Sequence, residues 1–226
     1  MRSADLHTLV ENLIEIFTDY ADPEKAEKMS AYMKHHFSFI GLQKPIRNEL
    51  QKSFLSEARS ESMEIVHQLA RQLWSLPERE YQYVAMELLL LKKRSWNNNS
   101  LELFEELVLN KSWWDTVDML STRMIGGYCF KEHEIYKKRF LKYSDSSNSW
   151  LNRVALIHQL HYKNQTDMEL FEKIYLKCGH KKEFFIQKAI GWALRQYSAT
   201  NPKAVIAFTK RHTLSKLALR EALRKL

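Results

Sequence analysis

The sequence predicts an all-helical protein, and three observations predict it. Only five glycines and four prolines occur in 226 residues, too few for the many turns of a β-sandwich or an α/β fold. Apolar residues recur at i, i+3 and i+4 along the chain, the rhythm of helices that bury one face. Short segments also recur at a fixed spacing, as in arrays of stacked helical hairpins. With 45% hydrophobic and 27% charged residues the balance is that of a globular chain, and we take residues 1–226 as a single domain.

The elements follow in order. Asp5 to Tyr20 carries Leu6, Leu9, Val10, Leu13, Ile14, Ile16 and Phe17 on an apolar face. Pro23 opens a second helix, at a first-turn position whose N–H has no helical partner anyway. Pro77 does the same after Ser75-Leu76, and Pro202 after the Thr200-Asn201 cap. The polar stretches Trp96-Asn97-Asn98-Asn99-Ser100 and Ser144-Asp145-Ser146-Ser147-Asn148-Ser149 separate helices further on. The pattern yields roughly a dozen helices and no strand.

The repeat is the most informative feature. Tyr81-Gln82-Tyr83-Val84-Ala85, Thr116-Val117-Asp118-Met119-Leu120, Leu151-Asn152-Arg153-Val154-Ala155 and Ile186-Gln187-Lys188-Ala189-Ile190 are spaced 35 residues apart. The third slot holds Tyr83, Asp118, Arg153 and Lys188, and the slot before it holds an amide in three of the four: Gln82, Asn152 and Gln187. A period of this length with two helices per unit describes a superhelical solenoid of HEAT-like hairpins. Equivalent slots project from one side of such an array, so Asp118, Arg153 and Lys188 are expected on one surface, the concave one.

Composition narrows the partner and the compartment. The formal net charge of +8 suits a polyanion, because each neutralised phosphate releases condensed counterions. No apolar run nears the roughly 18 residues of a membrane span, and the first residues lead into an amphipathic pattern without a signal-peptide core. Cys129 and Cys178 have neither metal-ligand nor redox spacing, as in a reducing cytoplasm.

Two helices place chemistry beside aromatic rings. Along Lys111-Ser112-Trp113-Trp114-Asp115-Thr116-Val117-Asp118, residues Trp113, Val117, Leu120 and Met124 fall on one face, expected in the core. Trp114, Asp118 and Ser121 fall on another, so an indole and a carboxylate stand side by side. Along Phe184 to Arg195, Ile186, Ile190, Ala193 and Tyr197 form the apolar face, with Lys188, Trp192 and Arg195 opposite. There the cations can hold phosphates while the indole packs on sugar or base; packing against a next repeat is the alternative. Tyr32, beside Lys25, Lys28 and His36, is a weaker copy. Arg153 serves either a structural ion pair or a phosphate. Lys210, Arg211, Lys216, Arg220, Arg224 and Lys225 read as a solvated basic face.

Other chemistries lack their signatures. His35-His36 and the pair His158 and His161 lack the company of a zinc site. A Gly-rich phosphate loop, a nucleophile elbow and a deaminase signature are all missing. No cofactor and no metal are expected.

Several blocks resemble the bacterial alkylation-repair DNA glycosylases of the AlkD family. They are Pro23-Glu24-Lys25-Ala26-Glu27 with Tyr32-Met33-Lys34, Leu76-Pro77-Glu78-Arg79-Glu80, Lys111 to Asp118, Trp150-Leu151-Asn152-Arg153, and Lys182 to Trp192. The stretch Met119 to Phe130, with Gly126-Gly127-Tyr128-Cys129, departs most from the family pattern. The resemblance implies a bacterial enzyme whose concave basic groove holds duplex DNA and which excises N3- and N7-alkylated purines without flipping the base into a pocket. A solenoid can end in capping helices without dimerising, so a monomer is expected, in the cytoplasm that the lone cysteines suit. The resemblance also implies Asp118 as the catalytic carboxylate, Trp114 and Trp192 as aromatic walls around the deoxyribose, and Tyr32 and Arg153 as DNA contacts; Lys188 and Arg195 join these from their stripe beside Trp192. The alternative is a non-catalytic scaffold that binds DNA or a protein partner through the same groove. A pure phosphate binder gains nothing from Asp118, whose charge repels the backbone.

Overall fold

The computed structural model describes residues 3–226, and side chains from residue 6 onward. Every regular element among them is helical. The chain forms two compact units that divide after Ser100.

In the first unit α1 (Ser3–Asp19) buries Leu6, Leu9, Val10, Leu13 and Phe17, as its spacing requires. Phe17 stacks on Tyr81 at 5.6 Å between ring centroids. Asp22 caps α2 (Pro23–Tyr32) by accepting from the Lys25 N–H. Helices α3 (Lys44–Leu50) and α4 (Lys52–Arg59) precede the hairpin of α5 (Met63–Ser75) and α6 (Arg79–Leu91). The buried Glu80 carboxylate accepts from the N–H groups of Ile40, Gly41 and Leu42. That shapes the loop before α3, where Gly41 has φ +98° and a Cβ would lie 2.1 Å from the Asp22 carbonyl oxygen. Burial raises the Glu80 pKa, and the three N–H donors oppose it.

The second unit opens with the greater part of α7 (Asn98–Leu109), followed by α8 (Trp114–Met119). From α8 the helix continues through a π-helical segment, Leu120–Ile125, into α9 (Gly126–Cys129). Then come α10 (His133–Asp145) and α11 (Ser149–Ile157), α12 (Met168–Cys178) and α13 (Phe184–Ser198), and α14 (Pro202–Arg211) and α15 (Lys216–Ala222). Helix α11 packs between α8 and α13, and α13 packs on α15. The second helices of successive hairpins therefore stack in chain order, as a 35-residue period requires.

The structure gives the repeat a physical meaning. Nδ2 of Asn152 donates to the carbonyls of Tyr143, Ser144 and Ser146 at 2.8, 3.3 and 3.0 Å. Those groups end α10, where carbonyls run out of i→i+4 partners; Tyr143 keeps only the Ser146 N–H of the cap. Gln82 does the same for the end of α5, through Leu73, Trp74 and Leu76. Gln187 does it for the end of α12, through Gly179 and Lys181. Val117 has no donor in that slot, and Ser112 instead donates to the Val108 carbonyl at 2.6 Å. The recurring amide is thus a clasp that, in three of the hairpins, ties the second helix to the C-terminus of the first.

Three expectations need correction. Pro77 does not open a helix: it lies before the Glu78 N-cap, two residues ahead of the start of α6. Trp113 does not lie on a helical face with Val117, Leu120 and Met124. Its backbone is extended (φ −157°, ψ 162°) and the helix begins one residue later. The indole is partly exposed and meets Phe185 and Trp150 edge-on at 5.0 and 5.8 Å. The stripe of Lys188, Trp192 and Arg195 is not fully turned to solvent either, because α15 lies along it.

Candidate functional site

Asp118 sits one turn beyond Trp114 on α8, and both are partly exposed. One repeat later, on α11, Arg153 faces it. Arg153 Nε donates to Oδ1 of Asp118 at 2.6 Å and Nη2 to Oδ2 at 2.8 Å. Nη1 donates to the Phe185 carbonyl at 2.5 Å, at the start of α13. This two-pronged pairing is the strong geometry for a guanidinium and a carboxylate. The Arg153 side chain is 5% exposed and that of Asp118 19%, so the carboxylate is the reachable half of the pair. Burial raises the Asp118 pKa above its ordinary 3.8; the Arg153 guanidinium opposes this and Asp115 adds to it. Of the two roles open to Arg153 in sequence, the structure displays the ion pair.

The aromatic rings of Trp113, Trp150 and Phe185 pack against one another beside this pair. They join the N-terminal ends of α8, α11 and α13, the three helices that carry Trp114, Asp118, Arg153 and Trp192. Trp192 is partly buried on α13, with Lys188 one turn before it and Arg195 about one turn after. Both cations reach the buried Glu221 of α15. Lys188 Nζ lies 3.0 Å from its Oε1, and Arg195 Nη1 donates to its Oε2.

In the first unit Tyr32 is 71% exposed at the end of α2. It borders an open pocket of about 300 Å³ with Lys25, Lys28, Met29, Phe39 and Tyr83. Tyr83 is that unit's third-slot residue, and the Arg47 guanidinium lies over its ring at 4.8 Å.

One group of metal-ligating side chains converges among the described residues: His133, Glu134 and Asp167. The Lys137 ammonium already stands 2.5 Å from Glu134 and 2.7 Å from Asp167, where a dication would have to sit.

Residues 13–226 match the family model described as DNA alkylation repair enzyme. The chain belongs to that family. A solved structure described as a predicted DNA alkylation repair enzyme from Enterococcus faecalis is 39% identical, with a TM-score of 0.85 over 91% of this chain and 96% of its own. No curated protein matches. Family membership ties the chain to alkylation repair and makes DNA its partner. The fold resemblance drawn from Lys111 to Asp118 and Lys182 to Trp192 holds. No helix of the described residues is long and apolar enough to cross a membrane.

Two features of this family member escape a reading of the sequence. Glu221 is one: its only signal is a single acid on a basic helix, Lys216-Leu217-Ala218-Leu219-Arg220-Glu221. The π-helical segment is the other. It falls within Met119 to Phe130, and nothing in an apolar periodicity of 3.6 marks the extra residue.

Proposed function

We propose that the protein is a DNA glycosylase that hydrolyses the N-glycosidic bond of cationic alkylated purines, N3-alkyladenine and N7-alkylguanine, in duplex DNA. The observation that carries this reading is the Asp118 carboxylate, held in place by Arg153 and still reachable beside Trp114. An alkylated purine of this kind is already positively charged. When its bond to C1′ breaks, the electron pair stays on the ring nitrogen and the base leaves neutral, so no general acid is needed. Positive charge moves to the sugar, as in glycoside hydrolysis. Asp118 stabilises that charge and takes a proton from the water that adds to C1′, leaving an abasic sugar.

Trp114 and Trp192 flank the deoxyribose in this reading, their electron-rich faces stabilising the same cation. Arg153 acts through Asp118, whose orientation it sets. Tyr32 meets the DNA, and Lys188 and Arg195 meet backbone phosphates with the N–H donors that Glu221 does not use. Residues 1–226 serve as one functional domain, acting as a monomer in the bacterial cytoplasm without a cofactor. The base stays near the stack, and selectivity comes in part from the substrate's own instability.

Release of 7-methylguanine from methylated duplex DNA tests the proposal, with Asp118→Asn as the control. We expect release by the wild type, about 100-fold less or lower in Asp118→Asn, and unchanged or tighter DNA binding by the variant. Equal release by the two proteins refutes the role of Asp118. Binding without any release by the wild type turns the reading to a scaffold.

A further inference from the structure

Helix α15 approaches α13 at Gly191, the residue beside Trp192. A Cβ there would lie 2.5 Å from the Glu221 Cβ and 2.8 Å from the Ala218 carbonyl oxygen, so only glycine permits the contact. The approach brings Glu221 over α13, with its side chain 9% exposed against 36% for Lys188 and 21% for Arg195. Each carboxylate oxygen takes one cation, Lys188 on the N-terminal flank of Trp192 and Arg195 on the C-terminal flank. Arg224, from the end of the same chain segment, adds a third positive charge nearby. A buried carboxylate is strongly unfavourable without counter-charge. The two cations therefore cannot both swing outward while α15 stays docked.

We propose that Glu221 is a positioning residue for the excision proposed above: it tethers Lys188 and Arg195 on either side of Trp192, fixing the indole, and withholds part of their charge from the DNA backbone. The tether rests on the glycosylase reading for its effect on turnover, and on electrostatics alone for its effect on DNA binding. It predicts an unusual combination. Removing the carboxylate loosens the aromatic wall and slows excision, yet frees two cations and tightens the hold on phosphates.

The test compares Glu221→Gln, Glu221→Asp and wild type in kcat and KM for 7-methylguanine release, and in the salt dependence of binding to undamaged duplex. For Glu221→Gln we expect kcat about tenfold lower, tighter binding at low salt, and a log–log salt slope steeper by about 1 to 2. Glu221→Asp restores the slope and part of kcat. A merely structural glutamate gives a lower Tm with affinity and kcat falling together, which overturns the proposal, as does a variant equal to wild type in both readouts. Lys188→Gln leaves the buried Glu221–Arg195 pair in place, so it serves even where Glu221→Gln does not fold. The tether requires its kcat to fall at saturating DNA. A rise in KM alone marks Lys188 as a phosphate contact and overturns it. If the wild type releases no base while Glu221→Gln still steepens the slope, the glycosylase reading fails and the tether stands.

Discussion

Asp118 and Glu221 are both carboxylates clamped by cations in the second unit, and their settings differ in one decisive respect. Asp118 has one guanidinium, itself buried and engaged a third time by the Phe185 carbonyl. Burial outweighs that single partner and raises the Asp118 pKa. Glu221 has two cations, and the hydrogen bond from Lys188, with the charges of Lys188, Arg195 and Arg224, holds its carboxyl below the ordinary 4.5. One carboxylate is thus left under-compensated and reachable, the other over-compensated and closed. A group meant to meet a developing sugar cation benefits from the first setting, because its negative charge is not fully answered by the protein. A group meant to hold helices in place benefits from the second.

The comparison can be broken at its strongest point by Arg153→Gln. That change leaves Asp118 half-buried without its partner, and we expect a loss of about 3 to 5 kcal/mol in unfolding free energy, read from denaturant melts. The acid limb of the excision profile should also move to higher pH, since burial then acts on Asp118 unopposed. A stability loss under 1 kcal/mol would mean that the pair does not behave as a buried one. Gly191→Ala strikes the other clamp without touching a charge. The added methyl forces α15 away from α13 at an expected cost of about 1 to 3 kcal/mol, and excision should fall as it does in Glu221→Gln. An unchanged melt would show that α15 can shift freely.

The smallest perturbation is acid itself. Excision requires ionised Asp118, whose pKa lies above 3.8, so activity is lost as pH falls through that raised value. Glu221 is held below its ordinary 4.5 by its cations, so the salt slope of DNA binding should hold down to about that pH and steepen only as the carboxylate protonates below it. A slope that steepens above pH 4.5 would show that Lys188 and Arg195 do not hold the Glu221 carboxylate ionised.

Much of this architecture is legible in the sequence, and the reason is periodicity. Burial imposes the i, i+3, i+4 spacing on α1, and stacking imposes the 35-residue spacing on Asp118, Arg153 and Lys188. Both survive as patterns that need no knowledge of distant neighbours. The shared slot of Gln82, Asn152 and Gln187 is visible in the same way, but its purpose is not: a clasp is defined by carbonyls six to nine positions earlier that can take a further donor because a helix ends there. Arg153 shows the limit more sharply. A cation spaced for phosphate and one spaced for a carboxylate look alike until Asp118 is seen opposite. Trp113 misleads because the start of α8 depends on the extended backbone of that one residue. Glu221 stays hidden because its partners lie on another helix, at an approach that depends on Gly191.

The π-helical segment carries a consequence of a different kind. A π turn is an α-helix lengthened by one residue while the flanking helices keep their directions. Asp118 lies just before Leu120–Ile125, and Gly126 just after it, where a Cβ would lie 2.1 Å from the His158 carbonyl oxygen. Both flanks are therefore pinned, and the slack lies between them. Loss of one codon within those six residues is expected to close the turn as ordinary α-helix with Asp118 and Gly126 kept in place, at the cost of repacking the buried Leu120, Ser121, Thr122, Met124 and Ile125. A one-codon deletion on either side of the segment would rotate one of them out of register.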